Sequence, residues 1–210
     1  MVDTRHEYAH LESVYLPIAI AVFGIVLLLV AIGVVHGRRR RSEIGSQRKE
    51  HNPLELGYAA VLVLVSAFLV YESFSTEDKT DAIAKTPGVQ VKATAGQWNW
   101  RFSYPAYGIT QHSTPTGPAL LVVPTNTIVH FTGTSNDVIH AFDVPGRRFK
   151  RDFFPGKNTV FDLVWPQPGR FRGQCGEFCG LLHAHMGFVV EAMPPDRFRA
   201  WAAARRGGTP

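Results

Sequence analysis

The stretch Val14–Val35, VYLPIAIAVFGIVLLLVAIGVV, constrains this chain more than any other. It contains no charged residue and is long enough to cross a bilayer as a helix, which takes about 20 apolar residues. A second run, Leu56–Tyr71, is shorter and spans only if flanks around Glu55 and Phe74 join the helix; otherwise it would be a buried core helix. The first run follows an N-region containing acids, its apolar core is long, and Arg38–Arg41 come directly after it. That pattern reads as an anchored helix with a stop-transfer flank, not a cleaved leader. Arg38, Arg39, Arg40, Arg41, Arg48 and Lys49 fall between the two runs. Basic loops stay on the cytoplasmic side, so both termini are expected outside. The same position, between two spans, removes nucleic acid as a partner for the arginines. The expected organisation is a transmembrane helical hairpin over 1–74, with spans near 14–35 and 55–73.

Residues 75–88 read as a polar linker. Beyond them the pattern changes to short β-type runs broken by Pro and Gly: Val89–Ala95, Gln97–Tyr104, Ala119–Val123, Thr127–Thr132, Val138–Val144, Thr159–Val164, Phe171–Gln174 and Phe188–Ala192. Many short strands with regular turn signals predict an all-β sandwich or barrel, here over 89–194. Residues 195–210 read as a short helix and tail.

Late in that domain lies Gln174-Cys175-Gly176-Glu177-Phe178-Cys179-Gly180-Leu181-Leu182-His183-Ala184-His185-Met186, which holds both cysteines of the chain. Its spacing is C-x3-C-x3-H-x2-M. Thiolate, imidazole and thioether in one loop suit copper better than any hard cation. A disulfide between the cysteines and a zinc site built from Cys175, Cys179, His183 and a fourth ligand compete with that reading. The disulfide leaves His183 and Met186 unexplained, and Met186 is a poor zinc ligand. Of the other histidines, His140 sits best, within a predicted strand some thirty residues upstream. Two thiolates can bridge two ions, so the pattern reads as dinuclear, with one histidine for each copper. His185, out of spacing, reads as a surface or supporting residue. Glu55, in the first turn of the second span, is either a helix-end acid or a proton-accepting carboxylate at the membrane edge.

The loop Cys175–Met186, His140 and the run Gln97-Trp98-Asn99-Trp100-Arg101-Phe102-Ser103-Tyr104 resemble subunit II of the haem–copper cytochrome c oxidases. The resemblance covers nearly the whole chain, hairpin included. It implies a cupredoxin-like Greek-key sandwich carrying a dinuclear copper A centre. Cys175 and Cys179 would bridge the coppers, His140 and His183 would each terminate one, and Met186 and the Glu177 carbonyl would be weak axial ligands. It further implies a magnesium contact for the Glu177 side chain at the boundary with subunit I, electron input through Trp98, and a proton-channel mouth at Glu55. Trp98 read from the strand pattern alone would be a core aromatic. The implied activity is that of a cytochrome c oxidase, a proton-pumping terminal oxidase of the bacterial cell membrane in which this chain accepts electrons from cytochrome c and partners subunit I and the other subunits. A related membrane nitric oxide reductase and a membrane-anchored copper-delivery protein are the alternatives. A quinol-oxidase relative would lack the copper ligands.

The chain departs from the familiar pattern at Gly96, Gly176 and the two leucines before His183. None of these removes a ligand. From Ser75 to Pro210 there are 15 Lys/Arg and 10 Asp/Glu, a net charge of +5. Such a surface gives a basic soluble cytochrome little steering, so the expected donor is acidic, neutral or tethered. No C-x-x-C-H occurs, so the chain carries no haem c attachment of that type.

Overall fold

In the computed structural model the described residues are 3–39, 51–114 and 117–205. Arg40, Arg41, Arg48 and Lys49, which carry most of the orientation argument, lie outside them, as do the tail residues 206–210. The chain divides into two units, Ala9–Glu77 on one hand and Met1–Tyr8 with Asp78–Pro210 on the other.

Two helices supply the first unit, α1 (Thr4–Arg39) and α2 (Asn52–Asp81). At 1.5 Å per residue they are about 54 and 45 Å long, more than the roughly 30 Å of a hydrocarbon core. Phe23, Leu28 and Leu29 on α1 and Val63 and Leu64 on α2 are all exposed. An apolar surface of this kind is stable only against lipid or protein. Polar groups tie the pair together. Tyr15 Oη donates to the Leu69 carbonyl at 2.7 Å, and His10 Nε2 lies 3.3 Å from Glu72 Oε2. Both helices outrun the sequence expectation. Residues 4–13 are helical because Asp3 caps the first turn, its Oδ1 accepting from Arg5 N at 3.1 Å. At the other end α2 continues to Asp81, through the first part of the expected linker.

The second unit is a sandwich of two five-stranded sheets. Its strands are β1 (Val89–Gly96), β2 (Asn99–Tyr104), β3 (Ile109–His112), β4 (Ala119–Pro124), β5 (Val129–Ser135), β6 (His140–Val144), β7 (Phe149–Phe153), β8 (Thr159–Leu163), β9 (Gly169–Cys175) and β10 (Gly187–Met193). One sheet runs β3-β2-β1-β5-β8 and the other β4-β10-β9-β6-β7. The pairs β1–β5 and β4–β10 are parallel and the rest antiparallel. Alternation drives the layering, as in β5, where Val129, Phe131, Gly133 and Ser135 face inward. Two strands were not anticipated. β3 contributes a single buried residue, Ile109, and β7 carries Lys150-Arg151-Asp152 between its two inward phenylalanines. Neither presents an apolar alternation long enough to be read.

Aromatic rings fill the space between the sheets. Phe142 of β6 is the hub, with ring centroids 4.8 Å from Phe188, 5.5 Å from Phe131 and Phe161, and 6.2 Å from Trp100. Two glycines make room for this packing. A Cβ at Gly133 would fall 2.1 Å from the Phe153 ring, and one at Gly173 would fall 2.1 Å from that of Phe188. Tyr104 fastens β2 to β4 across the sandwich: its hydroxyl donates to the Val122 carbonyl and accepts from Val122 N, both at 2.8 Å. Burial pushes its phenol well above the usual range. Helix α3 (Pro195–Arg205) closes the end beyond it, with the Trp201 ring 5.4 Å from that of Tyr104.

Gly133→Ala is therefore expected to destabilise the chain by about 1–3 kcal/mol through overpacking against Phe153. Thermal unfolding in detergent checks this, and an unchanged midpoint would contradict the role given to Gly133.

Candidate metal centre

The pairing of β6 with β9 covers only Phe142↔Cys175 and Asp143↔Gln174. Phe142 points into the core, so His140, two residues earlier on the same strand face, points inward as well. It is fully buried and lies beside Cys175, the last residue of β9. Two backbone bonds secure this junction: Gly176 N donates to the Ala141 carbonyl and Cys175 N to the Met186 carbonyl, each at 3.0 Å.

Six donor groups converge there. The sulfurs of Cys175 and Cys179 are 3.8 Å apart, nearly twice the length of a disulfide, and both thiols are free. His140 Nδ1 is 3.6 Å from the Cys175 sulfur, and His183 Nδ1 is 3.5 Å from the Cys179 sulfur. Met186 Sδ stands 3.7 Å from the Cys179 sulfur, and the Glu177 carbonyl 3.2 Å from that of Cys175. His140, Cys175 and Cys179 present ligand atoms all within 4.8 Å of one another. Each thiol thus has an imidazole of its own. Burial, and then the neighbouring Cys175 thiol, push Cys179 up to about 12. Burial thus keeps the proton on Cys179; a bound soft metal would release it and supply the missing charge. The donor set fits such an ion.

Asp137 supports this cluster and went unnoticed in the sequence. Its Oδ1 accepts from His140 Nε2 at 2.8 Å, which leaves Nδ1 as the bare nitrogen facing the sulfur. Burial alone would raise its carboxyl, but the N–H groups of Gln97, His140 and Val138 outweigh burial and hold it below the usual value. The only sequence signal was an acid three residues before a histidine, a common coincidence in loops. Trp100 is a second supporting residue; its Nε1 donates to the Met186 carbonyl at 3.3 Å.

The remaining candidates are placed as follows. Trp98 stands in the turn between β1 and β2, partly buried, and not on the inward face of a strand. Its Nε1 donates to the Cys179 carbonyl at 3.0 Å, and Gln97 Nε2 donates to the same oxygen at 2.8 Å. The Glu177 side chain pairs with Lys150. This bond is the main reason that the lysine is held above its ordinary value. His185 is exposed. Glu55 belongs to the helical unit, where its Oε1 accepts from His51 N at 3.1 Å in the first turn of α2.

Residues 116–193 match the family described as cytochrome c oxidase subunit II, periplasmic domain. The cytochrome c oxidase subunit 2 of Cereibacter sphaeroides is 29% identical over 227 residues, covering 91% of this chain and 73% of the relative. That of Yarrowia lipolytica is 31% identical over 168 residues, covering 70% of this chain and 69% of the relative. The periplasmic domain of subunit II of the Bradyrhizobium japonicum cytochrome oxidase superposes with a TM-score of 0.53 at 29% identity. That likeness covers 58% of this chain and 96% of the solved domain. With a cupredoxin-like sandwich behind two long apolar helices, and this likeness to relatives along most of its length, the chain belongs to the cytochrome c oxidase subunit II family.

Proposed function

We propose that this chain is the electron-accepting subunit of a proton-pumping terminal oxidase, taking electrons from a cytochrome c and passing them to haem in subunit I, where oxygen is reduced to water. The observation that carries the reading is the pair of free thiols 3.8 Å apart, each with its own imidazole nitrogen within 3.6 Å. A structural zinc site needs four closed ligands and no bridging pair. Paired thiolates with two imidazoles and a thioether match a dinuclear copper A centre, which supplies one-electron storage with little rearrangement when bound.

In this reading Cys175, Cys179, His140, His183, Met186 and the Glu177 carbonyl would hold the copper, which would supply one-electron transfer. The chain's own part is to hold these donors still. Asp137 fixes the His140 tautomer, Trp100 holds the Met186 carbonyl, and the aromatic core behind Phe142 excludes water. Trp98 is the electron-input residue, since its indole N–H is hydrogen-bonded to the backbone of Cys179 and offers a short bonded route. The Glu177 carboxylate is the group that would meet a magnesium ion at the subunit I boundary, where the cation must compete with Lys150. Glu55 is assigned to the mouth of a proton channel, a role that its bond to His51 does not prevent. The helical pair anchors the chain in the bacterial cell membrane, with the termini and the sandwich on the outer side.

Electron paramagnetic resonance of the copper-loaded chain tests the centre. One unpaired electron shared over two coppers is expected, and Cys175→Ser should abolish the shared signal; a mononuclear four-line spectrum from the unmutated protein would overturn the reading. Asp137→Ala, which frees the His140 ring, should weaken copper binding by about 10–100-fold, measured by competition with a chelator.

A further inference from the structure

We propose that residues 3–8 are a strap whose Asp3 carboxylate fills an anion seat built around the buried guanidinium of Arg147, and that the seated strap holds the turn between β6 and β7 in its folded form. That role is independent of the electron-accepting one.

Residues 3–8 open α1, yet they group with the sandwich and not with the rest of the helical pair. Their contacts explain why. Arg147 ends the 3₁₀ turn Pro145–Arg147 that joins β6 to β7. Its side chain is only 5% exposed, and charged groups are almost never buried so deeply without a partner. The partner is Asp3, 144 positions away, whose Oδ1 accepts from Arg147 Nη2. The same Nη2 donates to the Val164 carbonyl at 3.1 Å, while Nε is buried with no hydrogen-bond partner among the described residues. Two neighbours of Asp3 add to the grip. Thr4 Oγ1, on a residue itself buried, donates to the Arg147 carbonyl at 2.7 Å. The guanidinium of Arg148 stands 4.6 Å from the centre of the Tyr8 ring, within cation–π range.

The turn has reason to need these contacts. Arg148 takes a φ of +52°, a left-handed conformation that side chains rarely adopt, and its N–H returns to the Pro145 carbonyl at 3.0 Å. Backbone held this way persists only where its surroundings over-determine it. Asp3, Thr4 and Tyr8 supply such surroundings from outside the hairpin. At its other end the same hairpin presents His140, opposite Phe153.

An asymmetry makes the place a seat for anions. Arg147 is enclosed, whereas the Asp3 side chain is 36% exposed. The cation is built into the domain, and the anion reaches it from the solvent side. A small carboxylate from solution can therefore replace Asp3, because a guanidinium fork matches any carboxylate.

The full-length chain in detergent tests the seat. All four tryptophans lie in the unit that contains the sandwich, so their fluorescence follows the unfolding of that unit. Asn is a good helix N-cap and Gly an acceptable one, so Asp3→Asn and Asp3→Gly remove the charge and leave the helix start in place. Both should lower the unfolding midpoint by at least about 4 °C. Both should also speed amide exchange across residues 144–149 at least about tenfold. Sodium formate should restore most of the Asp3→Gly loss, and sodium chloride at equal ionic strength much less. Arg147→Met removes the buried charge together with its need for a partner, so in that background Asp3→Asn should be nearly silent. An unchanged midpoint in Asp3→Asn, or an equal loss with and without Arg147→Met, would overturn the proposal. So would formate and chloride acting alike, which reduces the contact to ordinary screening. Where Asp3→Asn alone does not fold, recovery of the folded chain on adding Arg147→Met supports the seat, and failure to recover sinks it.

Discussion

Two residue pairs between β6 and β9 hold this domain's chemistry together. Phe142↔Cys175 and Asp143↔Gln174 are the whole of that ladder, yet they set His140 beside a cysteine that is thirty-five positions away in the chain. The ladder is short because β9 ends at Cys175 and gives way to the ligand loop. What keeps so brief a contact in register is the ring of Phe142, packed against Phe188, Phe131, Phe161 and Trp100. A one-residue slip would turn His140 outward and a charged neighbour, Asp143, into the core. The aromatic interior thus determines the geometry of the donor cluster as well as the stability of the sandwich.

That dependence explains which features were legible beforehand. The donor residues that the fold brings together were readable because C-x3-C-x3-H-x2-M is a local pattern, and His140 because few other histidines sit in a strand. Most strands were readable from alternation. β3 and β7 were not, since their inward residues are one isoleucine and two widely spaced phenylalanines. The start of β2 was read two residues early, at Gln97, for a related reason. Trp98, Trp100 and Phe102 alternate perfectly in sequence, but β2 starts only at Asn99, so the first ring sits in a turn and the other two in the core. The support from Asp137 was invisible because it acts through a contact between loops that no periodicity announces.

The cluster also links folding to charge. Two thiols, an imidazole and a thioether are buried in one place with a single carboxylate, Asp137, nearby and already engaged. In that setting the thiol form of Cys179 is favoured without a cation, as its raised value indicates. Metal uptake is thereby coupled to proton release, and becomes easier as pH rises.

Gly180 brings one more consequence. Its φ of +110° is a conformation that side chains rarely adopt, and a Cβ there would come within 3.2 Å of the Trp98 indole. The missing side chain is what lets the indole rest directly on the ligand loop. Tunnelling falls off exponentially with separation, so in the electron-input role proposed for Trp98 a single absent methyl group would help to set the gap to be crossed. The spacing at that proposed entry is set by a residue that has no side chain at all.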